Sequence, residues 1–181
     1  MSASLSFPGF SSPAAGPEAP LDMLAACHGR VEKQCQTLER LQAHLPVHGS
    51  DLQAQEAASA IMRYFDTAAR HHHADEEQDL FPALLESMAG SDAVCIQDLT
   101  ASLMVEHRAL EQRWHGLRMT LQDIAKGLPA TLSPVETQEF TLAYRAHIER
   151  ENQDLLPMAE RLLGDTALHD IGQAMSQRRS L

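Results

Sequence analysis

At 181 residues the chain is long enough for one domain with a sizeable core, and 44% hydrophobic with only 4% aromatic content fits a helical protein. Its 25 acidic residues against 14 basic ones give a formal charge of −11, which excludes nucleic acid as a partner, because binding it needs a basic stripe and the sequence has none. No apolar run reaches membrane-spanning length, and Cys27, Cys35 and Cys95 form no CxxC pair, so the expectation is a soluble, cytoplasmic protein with free thiols and no membrane contact.

Residues 1–20, rich in Ser, Pro, Gly and Ala, read as a flexible arm ahead of a folded unit over 21–181, and they lack the basic start and apolar core of a signal peptide. A helical pattern runs from about Leu21 to Leu45, where Pro46, Gly49 and Ser50 break it. The stretch SDLQ at 50–53 predicts a capping box with Ser50 as the cap. The second helix is expected to run to about Leu80, with Pro82 kinking or ending it. Gly90, Ser91 and Asp92 make the next break, and a third helix is expected from about Ala93 to Lys126, ended by Gly127 and Pro129. SPVE at 133–136 is a start signal for a fourth helix reaching about Pro157, and a short fifth helix is expected over 166–178. Four helices of roughly 25–35 residues with short loops predict an all-α, up-down-up-down four-helix bundle with a short C-terminal extra helix.

The helices repeat. The second and fourth align with His72 on His147, Glu76 on Glu151, and LFP at 80–82 on LLP at 155–157. The first and third align with His28 on His107, Glu32 on Glu111, and Leu38 on Leu117. Each long helix thus carries one HxxxE, and the two halves read as one helical hairpin used twice.

Residues four apart share a helix face. The stripe through His72 also holds Ile61, Phe65, Ala68 and Leu80, and the stripe through His147 holds Phe140, Ala143 and Leu155. Each His and Glu therefore interrupts an apolar face that should point at the bundle axis. An unpaired carboxylate there would be costly, and a cation bound by imidazoles and carboxylates removes the cost. His71 and His73 lie about a hundred degrees to either side of His72 and, with Glu77, are expected to be solvated or to sit behind the ligands. Trp114 and Cys35 are expected to pack in the core, while His44, His48, His115 and His169 are expected at the surface. No histidine has a Glu three residues before it, as ferritin-type sites require, and HExxH, zinc spacings and phosphate loops are absent.

The stretches HHADEEQDLFP, EHRALE and HIERENQDLLP resemble the hemerythrin-like, HHE cation-binding family over about residues 21–163. The resemblance implies a four-helix bundle around a non-haem di-iron site. On that pattern His28 and His72 would bind one iron, His107 and His147 the other, and Glu76 and Glu151 would bridge them, with an oxo or hydroxo group completing the bridge. Oxygen-carrying members have a fifth histidine where this sequence has Glu111, which could fill a coordination position, support an imidazole or reach solvent; Glu32 is its counterpart in the first helix. Four histidines with two HxxxE glutamates, and Glu106 just before His107, look more like the proteins implicated in iron–sulfur repair under nitrosative and oxidative stress. Those carry a cysteine-containing amino-terminal module, in place of which this sequence has the Ser/Pro arm. The implied function is binding of, or reaction with, a small oxidant or gas (O2, NO or peroxide) in stress response or sensing, by a monomer or a homodimer. The alternatives are an iron-dependent regulatory module, and iron storage or delivery without turnover.

Overall fold

The computed structural model describes residues 18–87 and 93–180, and among them every element is helical and no strand occurs. Residues 1–17 of the expected arm, and the break at 90–92, lie outside the described residues. Helix α1 spans Pro20–His48. The second rod is built from α2 (Leu52–Asp66), α3 (Ala68–Asp75), a π-helical turn (Glu76–Leu80) and α4 (Phe81–Glu86). The third rod is α5 (Ala93–Ala125). The fourth is α6 (Pro134–Arg150), a second π-helical turn (Glu151–Leu155) and α7 (Leu156–Leu162). Helix α8 (Asp165–Ser180) follows. α1 packs on α2 and α6, and α5 packs on the same two, which closes a four-helix ring; α8 lies against α1 and α3.

The bundle core is two apolar layers with a polar layer between them. One layer holds Val31, Leu38, Phe65, Leu110, Trp114 and Phe140. The other holds Leu24, Leu80, Leu84, Leu103, Leu155 and Met175. Each fully buried Leu, Ile or Phe contributes about 1.5–3 kcal/mol of transfer free energy. The two layers therefore hold the polar layer in place from above and below. Trp114 and Cys35 pack in the first of these layers, as the periodicity predicts.

Several expected boundaries are corrected. α1 continues through Pro46 to His48 and stops at Gly49, whose φ of 63° suits glycine and whose N–H bonds the Leu45 carbonyl. The cap of α2 is Asp51, which accepts from Ala54 N–H at 2.9 Å; the Ser50 hydroxyl instead donates to the Leu128 carbonyl and ties the loop before α2 to the loop after α5. Ser133 does cap α6, accepting from Glu136 N–H. The second rod breaks at Thr67, where no Pro or Gly signals it. The Thr67 hydroxyl donates back to the Arg63 carbonyl at 2.6 Å and competes with the backbone ladder. Across that break the buried stripe shifts from Ala68 to Ala69.

Pro82 does not end the rod; the helix runs on to Glu86. A proline removes one N–H and its ring crowds the carbonyl four residues back. The π-helical turn just before it absorbs both effects, because Phe81 N–H reaches back five residues to the Glu76 carbonyl. The second half solves the same problem identically: Leu156 N–H bonds the Glu151 carbonyl ahead of Pro157. Both π turns begin on the glutamate of an HxxxE.

Candidate metal centre

Six side chains converge between the apolar layers: His28 from α1, His72 from α3, His107 from α5, His147 from α6, and Glu76 and Glu151 from the two π turns. None is more than 3% exposed. Each carboxylate divides its oxygens between two histidine pairs. Glu151 Oε2 lies 3.1 Å from His28 Nε2 and 3.9 Å from His72 Nε2, while its Oε1 lies 2.9 Å from His147 Nε2 and 3.6 Å from His107 Nε2. Glu76 Oε1 lies 3.6 Å from His72 Nε2, and its Oε2 lies 3.3 Å from His107 Nε2. Two sets of ligand atoms result, His28/His72 and His107/His147, each with one oxygen from each glutamate and each fitting within 4.8 Å.

The donor set fits cations. Both oxygens of Glu76 and of Glu151, and Nε2 of His28, His107 and His147, are buried without a directed hydrogen bond. Buried polar atoms in such number are rare unless something satisfies them together, and metal ions bound by imidazole and carboxylate do so. As protein groups alone they are in conflict. Burial, and then the like charge of Glu151, push the Glu76 carboxyl up to about 8. Burial pushes the His72 imidazole down to about 3. Burial opposes a charge on His107, but the nearby Glu151 and Glu76 carboxylates outweigh that and raise it to about 10.

The outward ring nitrogens are fixed by a second set of residues. His107 Nδ1 donates to Glu77 at 2.8 Å, and Arg108 binds the other Glu77 oxygen. His147 Nδ1 donates to Glu106 at 2.8 Å, and Arg150 binds that carboxylate in turn. His28 Nδ1 donates to Asn152 Oδ1 at 2.7 Å. These bonds set the tautomer that aims Nε2 inward, and an anionic acceptor also raises the basicity of the ligating nitrogen. His72 Nδ1 has no such acceptor.

Glu111, a sequence candidate for coordination, is not brought into the cluster. Its side chain is 44% exposed and 3.7 Å from Arg108. It follows His107 in a regular helix, and no π turn swings it toward the axis as at Glu76 and Glu151. Glu32 is exposed. His48, His115 and His169 are exposed as expected, whereas His44 is half-buried and pairs with Asp51 at 3.1 Å. Sequence reasoning expects Glu106 near a channel mouth or in solvent, whereas it backs His147. It does not single out Asn152. The repeat held the signal for Asn152, since it aligns with Glu77. Of the two places expected for His73, in solvent or behind the ligands, the structure gives the second. The ring stacks on His107 with centroids 3.9 Å apart.

A four-helix bundle that buries four histidines and two glutamates with converging, unsatisfied ligand atoms defines a metal-binding bundle. The hemerythrin HHE cation-binding domain matches residues 19–159, and a Haemophilus influenzae protein is 30% identical over 162 residues, covering 90% of this chain and 91% of that protein. The chain belongs to the hemerythrin HHE cation-binding family. Among the described residues, no helix is long and apolar enough to cross a membrane.

Proposed function

We propose that the protein is a non-haem di-iron protein whose metal pair binds or reacts with a small oxidant or gas, in stress response or sensing. The observation that carries this reading is the division of oxygens: Glu76 and Glu151 each offer one oxygen to His28/His72 and the other to His107/His147. That is the arrangement two bridged ions require, and imidazole with carboxylate suits iron. When bound, an iron pair supplies reversible electron transfer and coordination positions for a small molecule. The protein's part is to hold and orient. Glu77, Glu106 and Asn152 lock three imidazoles, and the two apolar layers limit water. The position of Glu111 outside the cluster favours the four-histidine type over the oxygen carriers, because no fifth ligand arrives from α5.

Elemental analysis of anaerobically purified protein tests the reading. About two irons per chain are expected, from the two ligand sets, followed by visible spectral changes on adding O2, NO or peroxide. A single ion, or zinc alone, would sink the di-iron chemistry and leave a metal-dependent regulatory or storage module.

A further inference from the structure

The stretch HLPVHGSD at 44–51 turns the chain from α1 into α2 and carries three ligating side chains that the buried centre does not use. His44 and His48 stand one turn apart at the end of α1, with ring centroids 4.3 Å apart. Asp51 caps α2, and its Oδ1 lies 3.1 Å from His44 Nε2. One ligand atom from each of the three lies within 4.8 Å of the other two. His28 is 16 residues earlier on α1, roughly 24 Å away at the helical rise, so the two clusters are separate.

Contacts outside the cluster hold this corner in shape. Gly49 makes the turn with a φ of 63°, the Ser50 hydroxyl donates to the Leu128 carbonyl, and the Gln55 side-chain amide donates to the Ser50 carbonyl at 2.9 Å. Asp51 is thereby kept against the end of α1. The negative end of the α1 dipole falls at His48, which favours a cation there. Capping α2 accounts for Asp51, but not for two histidines one turn apart beside it.

The donor set narrows the ion. Two imidazoles and one carboxylate suit zinc, whereas calcium and magnesium take oxygen ligands. Zinc holds such atoms at about 2.0–2.2 Å in a tetrahedron, which sets them roughly 3.4 Å apart. His44 and Asp51 are already close to that separation. His48 closes the remaining gap by turning its ring, which is exposed and whose ring torsion is broad. The His44 and Asp51 side chains are 20% and 40% exposed, so water can take the fourth position.

We propose that His44, His48 and Asp51 form a second, surface zinc site that fastens the end of α1 to the start of α2. The site stands apart from the buried centre and does not rest on the reading of that centre.

The test titrates full-length protein carrying ¹⁵N-labelled histidine with Zn²⁺ and follows the histidine nitrogen resonances. His44 and His48 should shift together and saturate at one ion, in addition to any taken by His28, His72, His107 and His147. His115 and His169, exposed and outside any such cluster among the described residues, should not move at that concentration. His48→Ala should weaken this ion by at least the roughly 10–100-fold that losing an outer partner of a ligand costs, and leave the four buried histidines unchanged. Asp51→Asn separates ligand from cap. Asn caps a helix about as well as Asp, so the fold should hold while zinc at His44 and His48 weakens. The Gly49 N–H, which bonds the Leu45 carbonyl, should exchange more slowly with zinc bound. An unchanged rate there overturns the fastening. Asp51→Asn protein that binds zinc at His44 and His48 as tightly as wild type overturns the three-ligand site. So does wild type in which His44 and His48 stay still, or respond only alongside His115 and His169, which is adventitious binding at exposed imidazoles.

Discussion

Glu77 and Asn152 occupy the same place in the two halves of the chain, one residue after Glu76 and Glu151, and each accepts a hydrogen bond from a histidine of the other half. Glu77 takes the Nδ1–H of His107 at 2.8 Å, and Asn152 takes that of His28 at 2.7 Å. The geometry is repeated but the charge is not. His147 also has an anionic partner, Glu106, whereas His72 has none. The His107/His147 pair is therefore backed by two carboxylates and the His28/His72 pair by one neutral amide. Carboxylate behind imidazole strengthens the metal bond and favours the more highly charged ion. If the centre holds the metal pair proposed, Glu77→Gln should weaken the ion at His107/His147 by roughly 10–100-fold. Asn152→Asp should tighten the other. Competition with a chelator, read as two release phases, checks both. Equal phases in wild type and both variants would sink the asymmetry.

Removing a ligand should differ from removing a neighbour. His72→Ala and Glu151→Ala are expected to lose metal, Glu151 the more completely because its oxygens face all four histidines. Glu111→Ala should keep the full complement, since its carboxylate is half exposed and outside the cluster. Metal per chain measured after gel filtration decides. A full complement in Glu151→Ala would mean that the ligand set is wrong.

Metal uptake should release protons and tighten as pH rises. At pH 7 the metal-free cluster holds a proton on Glu76, whose value is raised to about 8, and on His107, raised to about 10. A cation must displace both. For the metal-free fold, stability from protonated Glu76 is complete below its ordinary value of 4.5 and is lost as pH rises through about 8. The gap in Tm between loaded and metal-free protein should therefore widen from pH 6 to pH 9. Calorimetry in two buffers of different ionisation enthalpy measures the protons released. A count of zero at pH 7 would contradict the assigned protonation.

The bundle was legible from periodicity, and the repeat marked the histidines and glutamates that the fold buries together; their roles as ligands came only from the family resemblance. Apolar spacing marks the four long rods, and alignment of the halves picks His72/Glu76 over His73/Glu77. The π turns were not legible. LFP and LLP stood out as landmarks, but a proline reads as a helix end unless the wider turn before it is known. The break at Thr67 was hidden for a related reason, as a back-bonded hydroxyl looks in sequence like any helical Thr. The hundred-degree rule left His73 either in solvent or behind the ligands, and could not choose between them. In a bundle the inward arc of a helix is itself at least about that wide, so a flanking residue still reaches a buried cavity wall.

The fifth helix locks the second rod beside the metal centre. Asp75, between His72 and Glu76 in sequence, is fully buried, and Arg178 and Arg179 of α8 both bind its carboxylate. Arg178 also reaches Asp79 at 2.9 Å. Such a pair adds little over an apolar contact, but stripping one side leaves a buried charge with no partner. Arg178→Ala combined with Arg179→Ala should cost about 3–5 kcal/mol. Adding Asp75→Leu to that pair should recover much of the loss, because the stranded carboxylate is then gone. Urea unfolding of the metal-free forms separates these effects from metal binding. If the double variant unfolds at the wild-type midpoint, α8 is a passive cover. If the triple variant recovers, the lock is electrostatic and its main work is to fix the turn of helix that carries His72 and Glu76.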